Sequence, residues 1–314
     1  MLLNVLLIIV GIALVLWGAD RLTEGAVSVA ERFRVPQIVI GLTIVAMGTS
    51  MPEFCVSFVS ALKGTPDLAV GNVVGSNIFN ALLIVGLAAM VSPMNILPVT
   101  VRKDVPFALV SSVILLMMCQ VDWVVSRTDG FVLLALFIIF MTLTVRGALA
   151  DKTQAQGNTP ADGGKKPKSA LMSGVWIVVG LACLIFGSNV FVSAASAVAR
   201  ALHVSDAVIG LTIVAGGTSL PELATSVVAA RKGNSGIAIG NVVGSNVFNI
   251  LFILGVTGLI SPMHIEGITN VDLYMLLISM MLLWFFSFTK YTIERWEGAV
   301  LTLTFVGYMW YLIA

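Results

Sequence analysis

GLTIVAMGTSMPEFCVSFVSALKGTPDLAVGNVVGSNIFNALLIVG, from Gly41 to Gly86, is written a second time as GLTIVAGGTSLPELATSVVAARKGNSGIAIGNVVGSNVFNILFILG, from Gly210 to Gly255. The offset is 169 residues without a gap, and 29 of the 46 aligned positions are identical. Each copy sets one glutamate, Glu53 or Glu222, in an apolar stretch beside Thr, Ser and Pro. A carboxylate within a bilayer is costly, and a duplicated one marks an ion pathway built from two halves.

The repeat extends on both sides of its strongest part. Gly11, Ala13, Gly18, Ala26 and Val35 match Gly180, Ala182, Gly187, Ala195 and Val204, and Ser92-Pro93-Met94 matches Ser261-Pro262-Met263. The composition fits lipid: 58% of the 314 residues are hydrophobic and 11% charged, far below the charged fraction of a soluble domain. Apolar runs of bilayer-crossing length predict ten spans, near 3–30, 37–62, 68–90, 105–124, 130–149, 172–199, 207–230, 237–259, 271–289 and 295–313. The first of these reads as a span, not as a cleaved signal peptide, because it lacks a basic start and a small-residue cleavage site. The expected fold is an all-α polytopic membrane protein of ten transmembrane helices. Its domains are a five-helix repeat over 1–150, a polar cytoplasmic linker over 151–170, and a second five-helix repeat over 171–314.

Five is odd, so the second repeat must enter the membrane upside down. The loops that would share a side with the linker hold 13 Lys and Arg residues, and the opposite loops hold 3 (Lys63, Arg127 and Arg200). The positive-inside rule then places the linker in the cytoplasm and both termini outside, in a bacterial inner membrane. No basic cluster with interleaved aromatics points to nucleic acid. The partners expected are the bilayer and the transported ions; each half carries its own motif, so a monomer is sufficient, and an oligomer is not excluded.

Pro52 has no N–H, so Gly48-Thr49-Ser50-Met51-Pro52 should break the second span. Such a break is tolerated in lipid only where the freed backbone lines a cavity or meets a ligand. Thr49, Ser50 and Glu53 then share a helix face, with the Ala46 carbonyl one turn earlier; Ser76 and Asn80 add a turn of the third span. The second copy repeats the set as Ala215, Thr218, Ser219, Glu222, Ser245 and Asn249. All of these are oxygen donors, which suits hard cations such as Ca2+ and Na+ and argues against zinc, copper or iron. Two carboxylates match one Ca2+ or two monovalent ions. Set against this, Gly71-x-x-x-Gly75 has the pattern of a helix-packing face, and Ser or Thr in a membrane helix often bonds its own backbone.

GTSMPE…GNVVGSNIFN and GTSLPE…GNVVGSNVFN resemble the paired alpha repeats of the sodium/calcium exchanger family, prokaryotic type. The resemblance implies a rigid core of spans 2–5 and 7–10, across which spans 1 and 6 slide. It implies Ala46, Thr49, Ser50, Glu53, Ser76, Asn80, Ala215, Thr218, Ser219, Glu222, Ser245 and Asn249 as ion ligands, with the glutamates shared between Ca2+ and Na+. Some members carry Asp where this chain has Asn249, so potassium co-transport is not expected here. The function expected is therefore a Ca2+/Na+ antiporter working by alternating access, with no enzyme activity and no cofactor. The alternative is a proton-coupled Ca2+ or cation exchanger on the same frame. A channel would use the same chemistry without a counter-ion, and an intramembrane hydrolase would need a metal or a histidine that the spans lack.

Several other residues attract notice. His203 and His264 fall in loops on the outer side, away from the motif. Asp20, Arg21 and Glu24 lie deep in the first span and read as an ion-pair group or as the lining of an access path, and their repeat counterparts include Asn189 and Ser193. Trp176, Trp284 and Trp296 sit near span ends as interface anchors. Cys55, Cys119 and Cys183 read as small core residues.

Overall fold

The computed structural model describes residues 2–64, 67–155, 169–203, 215–265 and 268–313. Most of the linker and the expected first turns of the seventh span lie outside them. The described helices fall into ten segments: α1 (Leu2–Phe33), α2 (Gln37–Thr49 and Met51–Leu62), α3 (Leu68–Val91), α4 (Val105–Asp122, preceded by a π turn at Thr100–Asp104) and α5 (Arg127–Ala155). The second series is α6 (Ala170–Ala201), α7 (Ala215–Thr218 and Leu220–Arg231), α8 (Ser235–Ile260), α9 (Asn270–Lys290) and α10 (Arg295–Ile313). Six of these are each long and apolar enough to cross a bilayer, and the bent α2 makes a seventh.

The duplication is visible in the backbone. Among the described residues, the left-handed positions come in pairs: Arg34 with His203 and Gly64 with Gly233, both 169 apart, and Trp123 with Tyr291, 168 apart. Two short antiparallel ribbons tie the repeats together. β1 (Met94–Asn95) pairs with β4 (Thr292–Ile293), and β2 (Val124–Val125) pairs with β3 (Met263–His264).

Inversion follows from how α1 meets α6. A Cβ added at Gly11 would lie 2.9 Å from the Gly187 carbonyl oxygen, and one at Gly18 would lie 2.8 Å from that of Gly180. At Gly25 the near neighbour is the Ser173 carbonyl, at 2.9 Å. Rising numbers on one helix thus meet falling numbers on the other. These helices hold the same place in their repeats and run antiparallel, so the fold is two inverted five-helix repeats.

Burial separates a centre from a shell. The apolar stretch of α8 is 94% buried, whereas those of α1 and α6 are each 22% buried. The centre closes through glycine: a Cβ at Gly244 of α8 would stand 2.6 Å from the Leu42 carbonyl and 2.7 Å from the Ala46 Cβ of α2. Only a hydrogen at that position lets the two helices approach so closely. The glycine motif read as a packing face is therefore one in its second copy.

Three expectations change in detail. Cys119 is buried as foreseen, but Cys55 is exposed on the outer face of α2 and is not a core residue. Trp284 donates its indole N–H to the Val101 carbonyl at 2.9 Å, within the π turn that opens α4. Trp176 meets Trp17 edge-on, with centroids 6.3 Å apart, so it seals the α1/α6 seam as well as marking a helix end. Gly244→Ala is expected to lower the thermal unfolding midpoint of the detergent-solubilised protein by several degrees, the effect of about 1–3 kcal/mol of overpacking.

Candidate ion-binding site

The site begins at two prolines. Without an N–H, Pro52 leaves the Gly48 carbonyl without its helical donor, and Pro221 does the same to Gly217. The chain turns at the preceding serines in nearly equal conformations, Ser50 at φ −81° and ψ 9°, Ser219 at φ −87° and ψ 8°. In α2 the two halves meet at a bend of 47°. Proline is well placed in the first turn of a new helix, so each segment restarts at once. Glu53 and Glu222 fall in those first turns, at the positive end of the helix dipole.

The repeats hold each other's carboxyl groups. Ser50 Oγ donates to Glu222 Oε1 at 2.8 Å, and Ser219 Oγ donates to Glu53 Oε1 at 3.0 Å. Glu53 is 0% and Glu222 1% exposed, and the Oε2 atom of each is buried with no hydrogen-bond partner. Ser76 Oγ lies 3.2 Å from Ser219 Oγ, which extends this chain of oxygens into α3. Thr218 stands beside Glu53, as Thr49 stands beside Glu222. Asn80 and Asn249 spend their amide nitrogens on Asn246 Oδ1 (3.1 Å) and Asn77 Oδ1 (3.0 Å). Their own Oδ1 atoms are buried and unpartnered.

Ala46 is more engaged than the sequence suggests. Its carbonyl accepts the Ser50 N–H at 3.0 Å, the Thr49 hydroxyl at 3.3 Å and the Ser245 hydroxyl at 3.5 Å. The single Thr49 hydroxyl proton is shared with Asn241 Oδ1, its nearer acceptor at 3.0 Å. Ala215, the counterpart of Ala46, opens the short helix Ala215–Thr218.

A layer of residues behind the glutamates escaped the sequence reading. Asn72 Nδ2 donates to the Glu53 carbonyl (3.2 Å) and to Ser57 Oγ (3.0 Å). Asn241 Nδ2 does the same to the Glu222 carbonyl (3.2 Å) and Ser226 Oγ (2.9 Å). These four, with Asn77 and Asn246, fix the backbone and amides around the site. Their signal was in plain view, since every one of them is identical in both copies at the common offset.

α6 lies across both breaks. Side-chain carbons of Leu181 come within 2.7 Å of a Cβ built at Gly48, and Val192 Cγ2 within 2.0 Å of one built at Gly217. The charges of α1 at 20, 21 and 24 are paired: Asp20 with Lys232 at 2.5 Å and with Arg21 at 2.6 Å, and Arg21 with Glu24 at 2.8 Å. The Arg21 guanidinium lies over Trp176, 5.0 Å from its ring centroid. The ion-pair reading of this group holds, and Lys232 at the end of α7 makes it a link between α1 and the centre.

The chain matches the family described as sodium/calcium exchanger protein over residues 3–146 and 172–314. It is 38% identical to inner membrane protein YrbG of Escherichia coli, covering 89% of this chain and 87% of that one. It is 32% identical to sodium/calcium exchanger MaX1 of Methanosarcina acetivorans, covering 98% and 97%. Among solved structures, the sodium-calcium exchanger NCX_Mj soaked with Na+ and Ca2+ superposes with a TM-score of 0.84 at 33% identity, covering 98% of this chain and 97% of that one. Each of the two matched blocks holds one of the cross-bonded glutamates. This chain therefore belongs to the sodium/calcium exchanger family, as an integral multi-pass membrane antiporter and not an enzyme.

Proposed function

We propose that this protein exchanges Ca2+ for Na+ by alternating access at one central site. Four buried, unpartnered acceptor oxygens carry the reading: Glu53 Oε2, Glu222 Oε2, Asn80 Oδ1 and Asn249 Oδ1, two from each repeat. A buried acceptor left without a donor costs about 1–3 kcal/mol, and a hard cation satisfies several such oxygens together. The ligand set is Thr49, Ser50, Glu53, Ser76 and Asn80 with Thr218, Ser219, Glu222, Ser245 and Asn249, and the carbonyls of Ala46 and Ala215 complete it. The serine and threonine hydroxyls exchange their present bonds for the ion by rotating.

The charge of the two carboxylates is balanced by one Ca2+ or by two Na+, so the ions compete. α6, seated on both breaks, and α1, packed against it, move over the core only when that charge is neutralised. An uncompensated carboxylate in low dielectric costs several kcal/mol, which suppresses leak and enforces exchange. Residues 1–150 and 171–314 are the two functional halves, and one monomer holds the whole site. The 151–170 linker faces the cytoplasm of a bacterial inner membrane, with both termini outside.

Radioactive Ca2+ uptake into proteoliposomes tests the coupling. Uptake is expected with an outward Na+ gradient and not with an outward H+ gradient alone; the reverse result assigns proton coupling. Glu53→Gln and Glu222→Gln are each expected to cut Na+-dependent uptake by at least about 100-fold, equivalent to about 3 kcal/mol, with unchanged purification behaviour. Full exchange in both variants would remove the site assignment. For sidedness, Pro160→Cys in a Cys55→Ser, Cys119→Ser, Cys183→Ser chain is expected to react with an impermeant maleimide in inverted vesicles and not in intact cells.

A further inference from the structure

Asn77 and Asn246 are absent from the proposed ligand set, yet each is bonded twice to the opposite repeat. Asn77 Nδ2 donates to the backbone carbonyl of Asn246 at 3.1 Å, and Asn246 Nδ2 donates to that of Asn77 at 3.4 Å. A backbone carbonyl only accepts, so each amide nitrogen must face it and each amide oxygen must face elsewhere. Those oxygens accept in turn, Asn77 Oδ1 from Asn249 and Asn246 Oδ1 from Asn80. The same arithmetic therefore settles the two outer amides. Their nitrogens are committed to the clamp, and their oxygens, on the opposite edge, are the unpartnered ones. All four side chains are at most 1% exposed, so water does not compete for these bonds.

We propose that Asn77 and Asn246 are positioning residues for cation binding: a crossed pair that presents the carboxamide oxygens of Asn80 and Asn249 to the ion and turns their N–H groups away. This rests on the central-site reading above. An unclamped carboxamide can turn over and set its N–H groups against a cation, which abolishes its value as a ligand. Each clamp crosses the repeat boundary, Asn77 holding Asn249 and Asn246 holding Asn80. The ligands of one half are thus oriented by the other half, and neither half offers a finished site alone.

The test is a double-mutant cycle on the full-length protein, read as apparent Ca2+ affinity from the Ca2+ concentration giving half of the ion-induced thermal stabilisation. Asn77→Leu is expected to weaken Ca2+ by about tenfold, the scale of losing an orienting partner, and Asn249→Ala by a similar factor. The double variant is expected to match Asn249→Ala, because a clamp with nothing to hold contributes nothing. Factors that multiply to about 100-fold in the double variant, or an unchanged affinity in Asn77→Leu, would overturn the proposal. Asn77→Ser, polar and too short to reach Asn249, takes the place of Asn77→Leu in the cycle if that variant does not fold. The Asn246→Leu and Asn80→Ala cycle must give the same pattern, and additivity there counts equally against the clamp. Glu53→Gln and Glu222→Gln serve as the reference. Undiminished Ca2+ affinity in both would sink the central site itself, whereas lost affinity there with a multiplicative asparagine cycle would sink only the clamp.

Discussion

Ser50 holds Glu222 and Ser219 holds Glu53, and the rest of the molecule is arranged so that these two bonds can form. In lipid no solvent relieves a buried carboxyl group, so its partners must come from the chain. A straight helix would not supply them across the repeat boundary. Proline interrupts α2 and α7, the chain turns at each serine, and the helix restarts in time to place the glutamate. Asn72 and Asn241 then fasten the glutamate backbone from behind, and glycine at 244 lets α2 and α8 come close enough for the exchange of partners. Remove the inversion and each serine would face the wrong end of the partner repeat.

Much of this is legible in the sequence. The constant offset, the span lengths and the bias of Lys and Arg point to one inverted pair, and the prolines locate the breaks. The paired glutamates announce the site because a carboxylate in a span needs a reason to be there. What could not be read has a common physical cause. Hydrogen bonds such as Asn77 to Asn249 join residues 172 apart, and they depend on packing that a linear pattern does not encode. The π turns at Gly41–Val45, Phe79–Ile84 and Phe248–Ile253 are of the same kind. They are single-turn insertions at the level of the site, with no distinctive composition. Ala46 was anticipated as a carbonyl donor, but which oxygens already lean on that carbonyl is a tertiary fact. Cys55 faces outward for a similar reason: α2 bends by 47° at the break, so apolar periodicity alone does not say which side of it is the core.

The repeats are not interchangeable. Asp20 reaches Lys232, whereas the corresponding positions in the other half are Asn189 and Lys63, which form no ion pair of that kind. The two side chains are 32% and 37% exposed, so the pair contributes on the order of 1 kcal/mol or less. That is enough to tilt two otherwise equivalent arrangements by several-fold and too little to lock either.

The glycine seam between α1 and α6 bears on how the molecule moves. Backbone meets backbone at Gly11 with Gly187 and again at Gly18 with Gly180, one heptad along. Helices joined this closely at the backbone have no slack to part, so α1 and α6 form one antiparallel unit. In the alternating access proposed above, the pair moves over the core as one part, and both faces of the membrane are served by it.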